Sequence, residues 1–396
     1  MLPPIVDAAG LREGDATLQW RDCAARHGDA FTLRFPDADW VFFSAPEAIR
    51  ELLGADPALL GSGVEREVFE RVLGRHSLLF LDGAPHARLR KAALPAFLPE
   101  RMAAHTPVIL EVTLRALSRL PPGAPFPAGP LLDGIFIEAL LRCALGARDG
   151  SPLLALAPPL FANFADDLFS GRLNPRVDAL DAALATELAA RRARPAPTGG
   201  GGGDVIDALL AARDPDGRAL GDDEVRDTIY AVLIAGQQTT GSALGAALDQ
   251  LLGNEAVRAR VETGLAAGRT DLLDAAILEA LRLATVVPFV ARVARAPVVI
   301  GGYELPAGAT AVACIYLAHR RPERFPEPDT FRPERFLEAG ARPGPFEFLP
   351  FGVGARKCLG MSLALQLMQV VLGALLTRVR LRAAGAGMLV VDGVRG

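Results

Sequence analysis

The chain is short of cysteine, short of charge and without a leading apolar run, and each shortage argues against a class of function. Four cysteines occur in 396 residues, Cys23, Cys143, Cys314 and Cys358, none of them paired at C-x-x-C spacing. A zinc site or a redox dithiol uses that spacing, so neither is expected. A disulfide framework is equally out of place in a long, cysteine-poor chain, and a reducing cytosol fits best. Only 22% of the residues are charged, and the formal net charge is -4. A nucleic-acid partner, which draws on clustered Lys and Arg, is not expected. The first residues, Met1-Leu2-Pro3-Pro4-Ile5-Val6-Asp7, carry no basic stretch and no long apolar segment. Neither a signal peptide nor a membrane anchor is expected, which points to the cytoplasm.

What is abundant is apolar, helix-forming sequence. Hydrophobic residues make up 51% of the chain, enough at this length to bury a large core and enclose a cavity. Apolar residues recur at three- and four-residue intervals in Ile206 to Ala212 and Ala275 to Leu283, the period of a helix. Asp222-Asp223-Glu224 forms an acidic first turn, opening a helix expected to run to about Leu252. Leu359 to Thr377 is uncharged over nearly the length of a membrane span, but Ser362, Gln366 and Gln369 interrupt it. A buried core helix is the expectation there. Strand signals are local: Phe31 to Phe35 and Trp40 to Phe43 flank a turn at Pro36 to Asp39, and a second β-rich patch covers Pro297 to Ile300 and Ala309 to Cys314. Pro195 to Thr198, followed by Gly199 to Gly203, is read as a loop between helices rather than an interdomain linker. The expected fold class is mainly α with small β-sheets, in a single domain over 1–396.

The stretch from Phe348 to Gly360, FLPFGVGARKCLG, is the most informative. Glycines at 352, 354 and 360 permit tight turns and close approach to a flat group. Cys358 stands just before the last long helix, whose free N–H groups and positive end stabilise a thiolate. Arg356 and Lys357 add positive charge beside it. The alternative for a lone cysteine is a buried structural role in a glycine-rich turn. The whole pattern, however, resembles the haem-binding loop of the cytochrome P450 family, F-x-x-G-x-x-x-C-x-G, with Phe351, Gly354, Cys358 and Gly360 in register and Arg356 where the family carries a basic residue. A thiolate ligand pushes electron density onto haem iron and favours O–O cleavage. The resemblance implies haem b as cofactor, Cys358 as its axial metal ligand, and Phe351, Gly352 and Gly360 as cofactor-binding residues.

Further motifs follow in the same family's order. Glu279 and Arg282 share a helical face at i, i+3. They precede Arg292 and the segment Phe331-Arg332-Pro333-Glu334-Arg335-Phe336. By resemblance Glu279, Arg282 and Arg335 form a structural charged triad. A second E-x-x-R, Glu255 and Arg258, reads as a solvated pair. His86 and Arg90, four apart, would with Arg292 and Arg356 bind the haem propionates through charge-assisted bonds. Ala235-Gly236-Gln237-Gln238-Thr239-Thr240 resembles the family's A-G-x-[D/E]-T-[T/S] helix motif. That makes Gly236 part of an oxygen groove, Thr239 the oxygen-proximal hydroxyl, and Gln238 a departure, since an amide cannot relay protons by titrating.

The implied activity is haem-thiolate monooxygenation of a small apolar substrate, by hydroxylation or epoxidation, plausibly in secondary metabolism. Electrons would come from an external ferredoxin or flavodoxin with its reductase, and the protein is expected to be a monomer. Arg88, Lys91, Arg101 and Lys357 could form a docking patch, or simply a solvated face. Phe161, Phe164, Phe169, Ala235 and Phe289 are substrate-pocket candidates. Two rivals share the scaffold: a peroxygenase or other non-monooxygenase enzyme, and a haem-binding protein without catalysis.

Overall fold

The computed structural model describes residues 1–7, 16–36, 38–62, 70, 73–161, 176–194, 204–214, 216–338, 342–385 and 387–394. The helices used below are, in chain order, α1 (Ala16–His27), α2 (Pro46–Gly54), α3 (Gly83–Ala93), α4 (Thr106–Leu117), α5 (Ala128–Leu145), α6 (Arg176–Arg192), α7 (Val205–Ala211), α8 (Asp222–Gly253), α9 (Asp271–Ala284) and α10 (Met361–Arg378). The strands are β1 (Ile5–Asp7), β2 (Ala30–Arg34), β3 (Asp39–Phe43), β4 (Leu60–Gly61), β5 (Pro125–Pro127), β6 (Val290–Ala294), β7 (Val298–Ile300), β8 (Tyr303–Leu305), β9 (Thr310–Ala313), β10 (Val379–Ala383) and β11 (Met388–Val394). The chain divides into two compact units, Met1–Val64 with Leu278–Cys358, and Glu65–Ile277 with Leu359–Gly396.

The first unit is built on a sheet of order β1-β2-β3-β9-β6-β4. The expected hairpin is present: β2 and β3 pair antiparallel, with Phe31 opposite Phe42 and Arg34 opposite Asp39. The β-rich patch supplies β9, which pairs in parallel with β3, Phe42 opposite Val312. One face of the sheet carries an aromatic layer. Phe31 stacks on Phe42, with ring centroids 5.1 Å apart, and Trp20 of α1 lies 5.4 Å from Phe42. The other face buries Val41, Phe43, Ile49 and Leu52, so α2 is held by its apolar side. This alternation is the period-two signature of a strand buried on both faces.

The second unit is helical, apart from the sheet β10-β11-β5. Its long helix α8 opens with the expected acidic turn, and Glu224 reaches back to accept the N–H of Gly221 at 3.0 Å. Helix α10 buries Leu363, Leu367, Met368, Val371, Leu372 and Leu375. It is long and apolar enough to cross a membrane by length and composition. Its two glutamines are nonetheless engaged inside the unit: Gln366 donates to Thr106 at 2.8 Å and Gln369 to Asp274 at 2.7 Å. Core burial, as expected, accounts for its apolar sequence. The proline- and glycine-rich stretch at 195–203 lies outside the described residues.

A glycine clasp ties the segment before α3 to α8. Gly74 has φ +75°, and a Cβ there would fall 1.9 Å from the Asp227 carboxylate. That carboxylate cannot swing away, because it accepts the N–H of His76 and the guanidinium of Arg226, each at 2.9 Å. Gly74→Ala should therefore destabilise the protein by about 2–4 kcal/mol, from positive φ and overlap together. A melting temperature within one degree of the parent would refute this.

Candidate functional site

Burial separates the cysteines. Cys23, Cys143 and Cys314 are buried, whereas Cys358 is exposed. Burial raises the Cys143 and Cys314 thiols to about 12, so neither is a thiolate near neutrality. Cys358 ends a turn closed by its own N–H donating to the carbonyl of Phe351 at 2.7 Å. Within that turn Gly352 and Gly354 adopt φ +65° and +69°, the left-handed region that glycine enters without a steric cost. A Cβ on Gly354 would also stand 3.3 Å from the Leu53 carbonyl oxygen, so α2 closes down on a turn that has no side chain there. Arg356 lies on this turn and Arg292 on β6, both half-buried. Arg292 donates to the neighbouring Ala291 carbonyl at 2.7 Å.

Behind the turn, in the same unit, the structure brings Glu279, Arg282 and Arg335 together. Arg282 grips the Glu279 carboxylate with two parallel bonds of 2.8 Å, and Arg335 adds a third at 2.9 Å. A fourth donor is the backbone N–H of Arg332, at 2.9 Å. Glu279 and Arg282 are 0% exposed and Arg335 7%. Arg282 spends its remaining donors on backbone, at the carbonyls of His319 (2.9 Å) and Pro328 (2.7 Å). Full pairing is what makes a buried ionic group tolerable. In the second E-x-x-R noted above, Glu255 is exposed and Arg258 half-buried, and Arg258 turns to Glu262, at 3.8 Å, rather than to Glu255.

In the second unit, α8 carries the predicted oxygen motif without a break in its helical run. Ala235, Gln238 and Ser242 are exposed on one side, while Leu233, Thr240, Gly241 and Ala243 are buried. Small and polar side chains on the open side of a core helix suit a helix that faces a flat ligand. Thr239 donates its hydroxyl to the Ala235 carbonyl at 2.7 Å, so in this rotamer its oxygen can accept a hydrogen bond but not give one. The Gln238 side chain makes no hydrogen bond to any described residue. At Gly236 a Cβ would meet Phe136 at 3.3 Å and Leu140 at 3.4 Å, so close packing of α5 against α8 also favours a glycine there. Gly241 is tighter still, with the Asp133 carboxylate 2.3 Å from a notional Cβ. Gly360 has nothing within 4 Å of its notional Cβ.

His86 and Arg90 share a face of α3, His86 buried and Arg90 half-buried. Arg88, suggested above as a docking charge, is committed elsewhere: it pairs with Glu224 and, at 3.5 Å, with Asp214. Phe289 is a packing residue, edge-on to Trp20 at 5.7 Å and Trp40 at 5.8 Å. Phe161 ends a helix whose side-chain position there is not described, and Phe164 and Phe169 lie outside the described residues. The residue that the motifs missed is His319, which accepts the N–H of Leu349 at the start of the cysteine turn, 3.0 Å away. No local sequence pattern marks it, because its partner is thirty residues away.

The donor set of the first unit fits a haem: an exposed sulfur at the end of a turn opened by two left-handed glycines, with half-buried Arg292 and Arg356 in the same unit. Comparison with known proteins agrees. The profile described as Cytochrome P450 matches residues 153–388. A Mycobacterium tuberculosis protein named cytochrome P450 135A1 is 33% identical over 377 residues, covering 91% of this chain and 83% of its own length. Another from the same organism, named cytochrome P450 135B1, is 34% identical over 387 residues, covering 91% and 80%. In structure, retinoic acid-bound cyanobacterial CYP120A1 matches with a TM-score of 0.80 at 24% identity, over 97% of this chain and 94% of that one.

Removing the carboxylate at the centre of the triad leaves two buried guanidinium groups facing each other. Glu279→Ala should cost about 3–5 kcal/mol, seen as a steep fall in the yield of folded, haem-loaded protein. Wild-type yield and melting temperature would count against the triad as the buried anchor.

Proposed function

The chain belongs to the cytochrome P450 family, and on that premise we propose that Cys358 would supply the thiolate ligand of the haem in a monooxygenase acting on a small apolar molecule. Its cofactor is haem b, and its reaction class is haem-thiolate monooxygenation. When bound, haem supplies the activation of dioxygen, and the protein supplies orientation and electrostatics. The observation that carries the assignment is the contrast among the cysteines: one exposed sulfur at the end of a hydrogen-bonded glycine turn, the others buried.

The remaining roles follow from chemistry. Arg292 and Arg356, with His86 and Arg90, are the candidate propionate partners, because cationic donors make short, strong bonds to carboxylates. Phe351, Gly352 and Gly360 give a flat macrocycle room beside the sulfur. Thr239 would hold a water by accepting its hydrogen bond, because its own hydroxyl proton is directed at the Ala235 carbonyl. Gln238 orients water but cannot exchange a proton near neutrality. Ala235, small and exposed, lets substrate approach the same side of α8. We propose that residues 1–396 act as one catalytic domain, since each compact unit is assembled from separated stretches of chain. Reducing equivalents come from a separate ferredoxin or flavodoxin with its reductase, and the protein works as a cytoplasmic monomer.

A second reading is favoured by one observation. With Gln238 where the family motif has an acid, proton supply is weakened, and a peroxygenase that brings its own protons with peroxide needs less of it. Product formation with peroxide alone, compared with a complete reductase chain, separates the two.

Protein loaded with haem, reduced and exposed to carbon monoxide should show the red-shifted Soret band of sulfur ligation, and Cys358→Ala should abolish it. Persistence of the band in that variant would exclude Cys358 as ligand. Gln238→Glu should raise the share of reductant that ends in product at least twofold, with haem content unchanged. An identical ratio of product to reductant would take Gln238 off the proton path. Apolar compounds that convert the iron's spin state on binding will identify the substrate class.

A further inference from the structure

We propose that His319 is a positioning residue for the cysteine turn: its imidazole accepts the Leu349 N–H and joins the turn to Arg282 of the charged triad. The inference rests on the assignment of Cys358 as the thiolate ligand and concerns how that sulfur is held in place.

Four observations carry it. His319 is completely buried. Its Nε2 lies 3.0 Å from the Leu349 nitrogen, and only an unprotonated Nε2 can accept there, so the ring proton sits on Nδ1. Its own backbone carbonyl takes Nη1 of Arg282 at 2.9 Å. Its ring packs 5.2 Å from Phe348, which in turn lies 4.9 Å from Phe336, next to Arg335. One residue therefore touches the triad through its main chain and the turn through its side chain.

The path onward to the sulfur is short. The Leu349 carbonyl accepts the N–H of Gly352 at 3.0 Å, and the Phe351 carbonyl accepts that of Cys358 at 2.7 Å. Moving Leu349 thus moves the start of the turn on which Cys358 closes. Leu349 is itself buried, so water cannot replace a lost acceptor.

The state of the ring supports the same conclusion. Burial, then the charge of Arg282, pushes the His319 pKa down to about 3, so the acceptor is present throughout the working pH range. Nδ1 has no hydrogen-bond partner among the described residues. An orphaned N–H is a cost that a phenylalanine of similar shape would avoid. What phenylalanine lacks is the lone pair aimed at Leu349.

The test compares three variants in haem-loaded protein. His319→Gln places an amide oxygen near the Nε2 position, His319→Asn reaches only the Nδ1 position, and His319→Phe keeps the shape without an acceptor. The readouts are the rate at which the thiolate-type carbon monoxide band is lost in mild urea, the midpoint reduction potential, and global unfolding by circular dichroism. Loss of the band should be at least tenfold faster in His319→Asn and His319→Phe, with a displaced potential. His319→Gln should stay within about threefold of wild type. Equal rates in all three overturn the proposal, as does band loss that merely tracks global unfolding. Should His319→Phe fail to fold, the Gln and Asn pair decides alone. Absence of the band in wild type would instead remove the thiolate assignment, a separate outcome.

Discussion

A carboxylate with no access to water holds the first unit together. Glu279 sits among two guanidinium groups and a backbone N–H, and each of its bonds is 2.8–2.9 Å long. An isolated charge in that environment would cost several kcal/mol. The surrounding chain is shaped by the need to satisfy it. Arg282 passes the demand on to the carbonyls of His319 and Pro328, and Arg335 to that of Pro326. The chain around His319, the stretch 326–328 and the turn carrying Arg332 and Arg335 are thereby pinned to one helix. Each has at most a single helical turn of its own, so the ionic centre does for these segments what a sheet does for strands.

The candidate reactive groups are other residues. The sulfur of Cys358 ends a turn whose glycines are chosen for backbone shape, and the oxygen-motif candidates lie on a helix whose open side is small and polar. Precise function requires groups held by supports that do not themselves react. Glu279 and Arg282 meet that description: they are inaccessible to solvent and fully paired. Thr239 and Gln238 are the opposite, half-buried or exposed, with hydrogen-bonding capacity to spare.

Local features of the sequence translated well into structure. The hairpin at Phe31 to Phe43, the acidic start of α8 and the glycine turn before α10 each depend on neighbours a few residues apart, and that information is written consecutively. The parallel pairing of β3 with β9, the pairing of β11 with β5 and the contact from His319 to Leu349 are not, because each joins residues whose proximity is created by the rest of the fold. Gly236 shows how one glycine can answer two demands. Its neighbours match an oxygen-groove pattern, and a Cβ there would also stand 3.3 Å from Phe136 and 3.4 Å from Leu140, so helix packing favours glycine as well. Phe289 fits an apolar pocket by residue type and belongs to an aromatic layer by position. Arg88 fits a docking patch by charge and is spent on acidic neighbours that no linear motif connects to it.

The bonds from Gln366 to Thr106 and from Gln369 to Asp274 bear on how the chain is made. Both acceptors lie upstream, so they have already left the ribosome when the last apolar helix emerges. Synthesis from the N-terminus therefore presents the stickiest segment only after its seat exists. A circular permutant that began with α10 would reverse that order, exposing an almost membrane-like stretch to chaperones and to other nascent chains.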